Sequence, residues 1–287
     1  MQDKISKKRK CKGVILNILM YLSSIIICFV LLGIIGFILY RGLPHISLKF
    51  LTSKPSLIRE TIGIFPNILN TIYVILITLI IVLPIGVGTA IYLNEYAKNK
   101  KVVRIIEFAT ETLSGIPSII YGLVGMLIFV RFLSLETSLI AGSLTLVIMT
   151  LPTVIRTTQE SLKTVSNGYR QGSLALGAGK WYMIRSVVLP SAIDGIATGC
   201  ILSIGRVVGE SAALLFTAGM ANEILGIKDA IQPGNAGSTL TVALYVYAKE
   251  RGEFEVAFAI ASILLILTFV INLSAKFTTI VLKKKKG

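Results

Sequence analysis

The chain has 287 residues, of which 54% are hydrophobic and 15% are charged, and its formal net charge at pH 7 is +15. Soluble domains carry about 25% charged residues, so this composition excludes an ordinary cytosolic enzyme. Apolar runs recur along the whole sequence and are long enough to cross about 30 Å of hydrocarbon as helices, so we predict a polytopic membrane protein.

The apolar runs predict an all-α protein with six transmembrane helices. The runs lie at residues 13–40, 68–93, 116–133, 138–155, 192–216 and 255–275. The first run is too long for a signal sequence and is not followed by a small-residue cleavage site, so we interpret it as a retained anchor. An even number of spans places both termini on the same side of the membrane.

Basic residues are distributed unevenly between the segments that connect these spans. Twenty Lys and Arg residues lie in 1–12, 95–115, 156–190 and 276–287, against seven in the other connecting segments. By the positive-inside rule, these four basic segments are predicted to be cytoplasmic, in a cell membrane that the chain crosses several times. Attraction to anionic lipid also favours this distribution, whereas no aromatic-interleaved basic surface indicates nucleic-acid binding.

The sequence predicts neither a metal site nor a disulfide, and we expect no cofactor. The single histidine, His45, has no cluster of Cys, His or carboxylate residues around it. Cys28 and Cys200 fall inside apolar runs and Cys11 lies in a basic tail, so no two cysteines are placed to pair.

Two charged residues, Arg206 and Glu210, fall near the middle and in the outer half of the fifth predicted span. A central charge costs about 2.5–3.5 kcal/mol on insertion scales, and a spacing of four residues would place the pair on one helix face. That face continues through small and polar residues such as Ser203, which predicts contact with protein or water rather than lipid. The pair is either a structural ion pair or an anion site on a transport path, in which Glu210 orients the guanidinium while the path is empty.

Three other charged residues lie close to the ends of predicted spans. Arg156 stands where the fourth apolar run stops, after the helix-bending Pro152. It is either an ordinary positive-inside anchor or the inner end of an anion path. Arg131 and Asp194 lie where long side chains can reach the interface or cap a helix, so we interpret both as structural.

The loop 156–190 contains two predicted short helices, at 169–177 and 180–189, separated by glycines. The second is predicted to end before Pro190. Apolar side chains available for docking into a groove on a partner are Leu174, Trp181 and Ile184. A hairpin lying on the membrane surface is the alternative.

No Walker A motif is present in the sequence. The only Gly-Lys pair, Gly179-Lys180, is followed by Trp181 and lacks a preceding glycine at the required spacing. We therefore expect no catalytic residues and no enzymatic activity, so active transport would need energy from a partner, and the glycine-broken loop is the natural contact with that partner.

The run from Arg170 to Leu189-Pro190 resembles the EAA loop of ABC-importer permeases, a pattern of Glu-Ala-Ala, three residues, Gly, and later a Leu-Pro close. The sequence has Gln171, Gly172 and Ser173 at the Glu-Ala-Ala positions, whereas Gly177 and the Leu-Pro close are present. The family's glutamate is thus replaced. In the family this loop presents coupling helices to an ATPase, so the resemblance implies that role for five residues here. They are Gln171, Gly172, Ser173, Gly177 and Trp181.

Further stretches, at residues 70–97, 111–122 and 205–218, resemble the permease subunits of phosphate importers, particularly the PstA type. The resemblance covers about residues 60–275 and implies a type I ABC-importer permease fold. Carried over by position, Arg206 and Glu210 match the family's charged pair in the translocation path. Arg156 matches an arginine at the inner end of span four, and Ser203 lies on the predicted face of the charged pair.

The resemblance implies half of a membrane path for inorganic phosphate uptake. The implied partners are a sister PstC-like permease, an ATPase dimer of the PstB type and an extracytoplasmic phosphate-binding protein of the PstS type. Two alternatives stay open, an ABC importer for another oxyanion or small solute and, more distantly, a secondary transporter or channel. The second alternative predicts an internal repeat or a complete pore in one chain, and the sequence has no evident repeat.

The predicted organisation has a permease core flanked by basic tails. The segments are a cytoplasmic tail at 1–12, the first transmembrane helix with an outer loop at 13–65, the core with its coupling loop at 66–276, and a second cytoplasmic tail at 277–287.

Overall fold

A computed structural model describes residues 2–55 and 62–284 of the chain. Part of the predicted outer loop, residues 56–61, and the ends of both predicted tails, residues 1 and 285–287, lie outside the described residues. All regular secondary structure in the described part is helical, which confirms the all-α prediction. The α-helices are α1 (Gln2–Gly42), α2 (Leu48–Thr52), α3 (Phe65–Ile91), α4 (Lys100–Ser114), α5 (Ser118–Gly125), α6 (Leu139–Thr164), α7 (Asn167–Ala175), α8 (Lys180–Met183), α9 (Leu189–Ser191), α10 (Ile193–Gly209), α11 (Ala212–Thr217), α12 (Leu240–Tyr245) and α13 (Phe254–Lys284).

Wider π-helical turns extend several of these helices. They are Tyr92–Tyr96 after α3, Met126–Phe132 after α5, Ile184–Val188 between α8 and α9, and Val246–Glu250 after α12. Short 3₁₀ turns occur at Leu43–His45 and Asp229–Ile231.

Among the described residues, four helical segments have the length and composition to cross a membrane, and two bent pairs raise the number of candidate spans to as many as six. The four segments are Gly13–His45, Phe65–Tyr96, Leu139–Thr164 and Phe254–Thr278. The bent pairs are Lys100–Ser114 with Ser118–Phe132, at 102°, and Lys180–Ser191 with Ile193–Gly209, at 67°. The predicted polytopic architecture is confirmed, and six predicted spans agree with the upper count.

The fifth predicted span, 192–216, is wrong as one continuous helix. Helix α10 ends at Gly209, and Glu210 has extended backbone angles, φ −84° and ψ 120°. The chain resumes a helix only at Ala212. Apolar residues lie on both sides of this break, so an apolar-run criterion joins the two helices into one span.

Helix α6 lies at the centre of the bundle and α1 at its edge. In the most apolar part of each span, 67% of the residues of α6 are buried, compared with 39% in the span containing α3 and 0% in the span containing α1. The central helix packs against both α3 and α10. Its buried Thr145 and Thr150 donate to the carbonyls of Ala141 and Leu146, at 2.8 and 2.7 Å, so these hydroxyls are satisfied within the helix.

The polar start of α3 holds the irregular segment that follows α11. Asn67 and Asn70 donate through Nδ2 to the carbonyl of Ser238, at 3.1 and 3.2 Å. The Thr71 hydroxyl accepts from the backbone N–H of Leu240 at 2.9 Å. These buried bonds fix the beginning of α12 against α3, which positions the residues that contact the break after α10.

Close approach of α5 and α11 depends on Gly122. A β-carbon at this position would lie 2.8 Å from Cα of Ala213 and 3.3 Å from the carbonyl oxygen of Ala212. Both are backbone atoms, so a side chain can be accommodated only if the two helices separate.

Replacing Gly122 by alanine is therefore expected to lower the thermal unfolding midpoint of the purified protein, since overpacking costs about 1–3 kcal/mol. Gly88→Ala is the matched control, because no heavy atom lies within 4 Å of a β-carbon there. Alanine in the helix interior should leave the midpoint unchanged or raise it slightly. Equal midpoints for the two variants would contradict this packing.

Candidate translocation path and coupling surface

One face of α10 packs tightly against α6. A β-carbon on Gly199 would lie 3.1 Å from Cβ of Thr157. Ser203 has no exposed surface and donates to the carbonyl of Gly199 at 2.8 Å. The prediction that this small-residue face contacts protein is confirmed for these positions. Ser203, which was predicted to lie on the substrate path, is fully buried, and its hydroxyl is bonded within α10.

A second face of α10 is open. We call Thr198, Leu202, Gly205 and Gly209 the open face, because all four are at least partly exposed. A β-carbon on either glycine would meet no heavy atom within 4 Å. A lipid-facing surface would carry large apolar side chains along its length, whereas this one has a single leucine, Leu202, among two glycines and a threonine. The composition favours contact with another protein or with water.

Arg206 lies at the boundary between the packed face and the open face. Its side chain is partly buried, and by helical spacing it lies between Ser203 and the open-face residues Leu202 and Gly209. A guanidinium inside a membrane-spanning helix is costly unless it faces protein or a water-filled cavity. Arg206 lies beside the open face, so its guanidinium would face protein or water if another subunit or water covers that face.

Glu210 does not stack on Arg206 along one helix, so the predicted spacing argument is wrong. The residue lies after the end of α10 and is buried, with 9% of its surface exposed. Its Oε1 accepts from the backbone N–H of Ala213 at 3.0 Å, and its carbonyl accepts from the Thr241 hydroxyl at 2.9 Å. The carboxylate therefore caps α11. Within the part of the chain that the structure describes, no ion pair joins Glu210 to Arg206.

Replacing Glu210 by alanine removes this cap, and losses of helix caps cost about 0.5–2 kcal/mol. We expect a lower unfolding midpoint in Glu210→Ala and a smaller decrease in Glu210→Gln, because glutamine keeps an acceptor oxygen for the N–H of Ala213. Thermal unfolding of the purified variants measures the difference. If Glu210→Gln lowered the unfolding midpoint as much as Glu210→Ala, the negative charge of Glu210, rather than its acceptor oxygen, would stabilise the start of α11.

Arg156 is exposed on α6, about two turns before the end of this helix at Thr164, and lies beside a cavity of about 250 Å³ that polar side chains of α6 and α4 line. Its Nε is 3.1 Å from Oε1 of Glu160, and both side chains are more than half exposed. Glu111 of α4 lines the same cavity. Exposed ion pairs contribute about 0–1 kcal/mol, so a passing anion could displace Glu160 at little cost.

The two arginines occupy different depths along the bundle. Thr157, the neighbour of Arg156, contacts Gly199 on α10. Arg206 is seven residues beyond Gly199, which corresponds to about 10 Å at 1.5 Å per helical residue. The structure therefore does not bring Arg156 and Arg206 into one site, and an anion would meet them in succession.

The loop after α6 folds as two short helices, as predicted, and we call α7 and α8 with the turn between them the coupling hairpin. Gly177 in the turn has φ +84°, a left-handed conformation that glycine adopts without steric cost. The prediction that the second helix ends before Pro190 is wrong, because α9 continues through this proline to Ser191. Pro190 follows directly on the π-helical turn Ile184–Val188.

The coupling hairpin carries exposed apolar side chains on both of its helices. Trp181 and Leu174 are 59% and 47% exposed. Gln171 and Gly172 are also exposed, and Ser173 is partly buried. The prediction of Ile184 as a docking side chain is wrong, since it is fully buried in a cluster with Leu162 and Val188.

Sequence reasoning missed two further exposed side chains of the hairpin, Leu176 and Tyr182, which are 90% and 64% exposed. Together with Tyr169 and Gly172 they line a broad groove of about 680 Å³. Their positions on either side of Gly177 could have predicted this exposure, because residues near a tight glycine turn tend to lie on the surface.

Comparisons with known proteins agree with this architecture. A family model described as "Binding-protein-dependent transport system inner membrane component" matches residues 82–279. The chain is 36% identical over 276 residues to "Probable ABC transporter permease protein YqgI" of Bacillus subtilis, covering 92% of this chain and 94% of that protein. It is 31% identical over 280 residues to "Phosphate transport system permease protein PstA" of Haemophilus influenzae, covering 97% and 96%.

A solved structure supports the fold. A chain of the bacterial alginate ABC transporter, crystallised in complex with an alginate pentasaccharide-bound periplasmic protein, matches with a TM-score of 0.66 and covers 92% of this chain and 94% of its own length. The sequence identity is 13%, so this likeness concerns the fold alone. The predicted ABC-importer permease fold is confirmed.

Proposed function

Because this chain belongs to the family of binding-protein-dependent transport system inner membrane components, we propose that it forms half of the membrane path for inorganic phosphate uptake. Family membership makes it a membrane-embedded permease component of an ABC importer. Relatives named as PstA phosphate transport permeases support phosphate as the substrate. The observation that carries the proposal is Arg206, which lies beside the open face of α10 and is not ion-paired with Glu210.

The open face of α10 would be covered by a sister permease of the PstC type, with the path between the two subunits. The planar guanidinium of Arg206 offers a fork of donors that matches phosphate oxygens. Binding on a transport path must be weak enough for release. A single arginine, with Glu210 engaged in capping α11, would bind phosphate more weakly than a cluster of several cations and would therefore release it more readily.

Arg156 is the second stop on the proposed path, at the end of the bundle that carries the coupling hairpin. This end and both termini face the cytoplasm in our proposal, as the distribution of basic residues predicts. An anion leaving Arg206 would reach Arg156 about 10 Å farther on. There it would displace the weakly held Glu160 and pass into the polar cavity beside α4.

ATP hydrolysis would be supplied by a partner, a dimer of PstB-type ATPases docked on the exposed side of the coupling hairpin. The contact residues in this proposal are Gln171, Gly172, Ser173, Gly177 and Trp181. A PstS-type phosphate-binding protein would dock at the opposite end, on the segments 41–65 and 217–254. The permease core would comprise residues 66–276, flanked by the first helix and the basic tails.

Uptake of labelled phosphate into vesicles containing the complete reconstituted complex tests this function. We expect accumulation that requires the phosphate-binding protein and ATP together. Accumulation of another oxyanion or an organic solute, with no phosphate uptake under the same conditions, would overturn the substrate assignment. Phosphate uptake that followed an ion gradient without the ATPase would indicate a secondary transporter or channel.

A further inference from the structure

Arg170, in the first turn of α7, uses every hydrogen-bond donor that a guanidinium possesses. Its side chain is 15% exposed, and its Nε and Nη2 donate to Oε1 of Glu95 at 3.1 and 2.9 Å. Nη2 also donates to the carbonyl of Leu162 at 2.8 Å, and Nη1 donates to the carbonyl of Val165 at 2.6 Å and to Oδ1 of Asn167 at 3.4 Å. These contacts account for all five N–H groups.

These bonds join three helices at one point. Glu95 lies in the π-helical turn that ends the span of α3, and its side chain is 7% exposed. Leu162 and Val165 are at the carboxyl end of α6, where unpaired carbonyls and the helix dipole favour a cation. Arg170 therefore ties the beginning of the coupling hairpin to the ends of two spanning helices.

The second arm of the coupling hairpin is attached to the same turn. Lys180, the first residue of α8, donates through Nζ to the carbonyl of Glu95, and its ammonium group lies 4.8 Å from the centroid of the Tyr96 ring. Both arms of the hairpin thus contact the residues that end the span of α3. A displacement of either arm would act on Glu95 and Tyr96.

We propose that Arg170 and Glu95 are positioning residues that make the coupling hairpin move as one body with the ends of α3 and α6. The inference rests on the proposed docking of an ATPase but not on phosphate as the substrate. A buried ion pair contributes little net stability compared with apolar packing, so stability alone is a weak reason for this arrangement. A fully bonded fork is, however, a rigid connection between separate helices.

The test measures the distance between spin labels on Lys98 and Ala175 in the complete complex, with the three native cysteines replaced by serine. One label follows the end of the α3 span and the other lies on α7, and both positions are exposed. With Arg170 and Glu95 intact, trapping the ATPase with ATP and vanadate should leave this distance unchanged, because the two elements move together. In Arg170→Gln and in Glu95→Gln we expect a shift of at least about 2 Å, the scale of helix displacements in switching proteins.

Hydrolysis rates and co-purification distinguish this role from a merely structural one. In both variants we expect the ATPase to co-purify as before, while its stimulation by the binding protein falls at least about tenfold, since disrupting a buried charge pair costs several kcal/mol. Arg170→Lys should keep part of the stimulation, because lysine retains the charge but not the fork. Arg185→Gln is the matched control, because it removes an exposed arginine from the same loop.

Constant label distances in both glutamine variants would overturn the proposal. The proposal would also be overturned if the stimulation of ATP hydrolysis fell only in proportion to the amount of ATPase that co-purifies. If the ATPase failed to bind the unmodified permease, the proposed function would be wrong instead. Should Arg170→Gln fail to fold, Glu95→Gln decides alone, because glutamine has the size of glutamate and removes only the charge that pairs with Arg170.

Discussion

Replacing Arg206 by alanine is expected to reduce phosphate uptake by the assembled transporter by about 10- to 100-fold. Hydrogen bonds to charged groups contribute about 1.5–3 kcal/mol, and each 1.4 kcal/mol changes an equilibrium constant tenfold. No ion pair joins Arg206 to Glu210 in the described structure. Its removal should therefore act on the passing anion rather than expose an uncompensated carboxylate. Initial rates of labelled phosphate uptake in reconstituted vesicles measure the effect.

Two further variants separate anion binding from loss of positive charge. Arg206→Lys should keep part of the uptake, because an ammonium group attracts phosphate but lacks the planar fork. Arg131→Gln is the matched control, since this arginine is exposed and lies in the π-helical turn at the end of another span. Uptake by Arg206→Ala that equals that of the unmodified protein would contradict a path past Arg206 and favour a different solute.

The sequence alone indicated candidate residues for the proposed path, but it did not predict their geometry. Arg206 and Glu210 were identified because charges are rare in apolar runs, a property that residue types reveal directly. Their stacking was wrong because it assumed an unbroken helix. The break depends on the bond of Glu210 to Ala213 and on the Thr241 hydroxyl, which is 31 residues away in the chain. No local pattern contains that second contact.

In the coupling hairpin, too, features set by neighbouring residues could be predicted, whereas contacts between residues distant in the sequence could not. The turn at Gly177 was predictable, because a glycine that ends a short helix is a local signal. The pairing of Arg170 with Glu95 was not, because the two residues are 75 positions apart and meet only where α3, α6 and α7 converge. Ile184 was misassigned because an apolar residue on a short helix can face either a partner or its own core.

Replacing Trp181 by alanine is expected to weaken binding of the ATPase to the permease at least about tenfold, because tryptophans at interface centres contribute 2 kcal/mol or more. The side chain is 59% exposed on the coupling hairpin, while Met183 and Ile184, only two and three residues farther on, are buried. Truncating the indole should thus change the docking surface and leave the packing of the hairpin intact. The amount of ATPase that co-purifies with the tagged permease measures the effect.

Tyr40→Ala is the matched control for this prediction, because it truncates another aromatic side chain, 79% exposed, at the opposite end of the bundle. Binding of the ATPase should be unaffected in Tyr40→Ala. Equal binding in Trp181→Ala and in the unmodified protein would favour the alternative in which the hairpin lies on the membrane surface, since an indole at the lipid interface contributes nothing to a protein contact. Leu174, Leu176 and Tyr182 on the same hairpin are exposed as well, which favours protein docking because clustered exposed apolar side chains mark interaction sites.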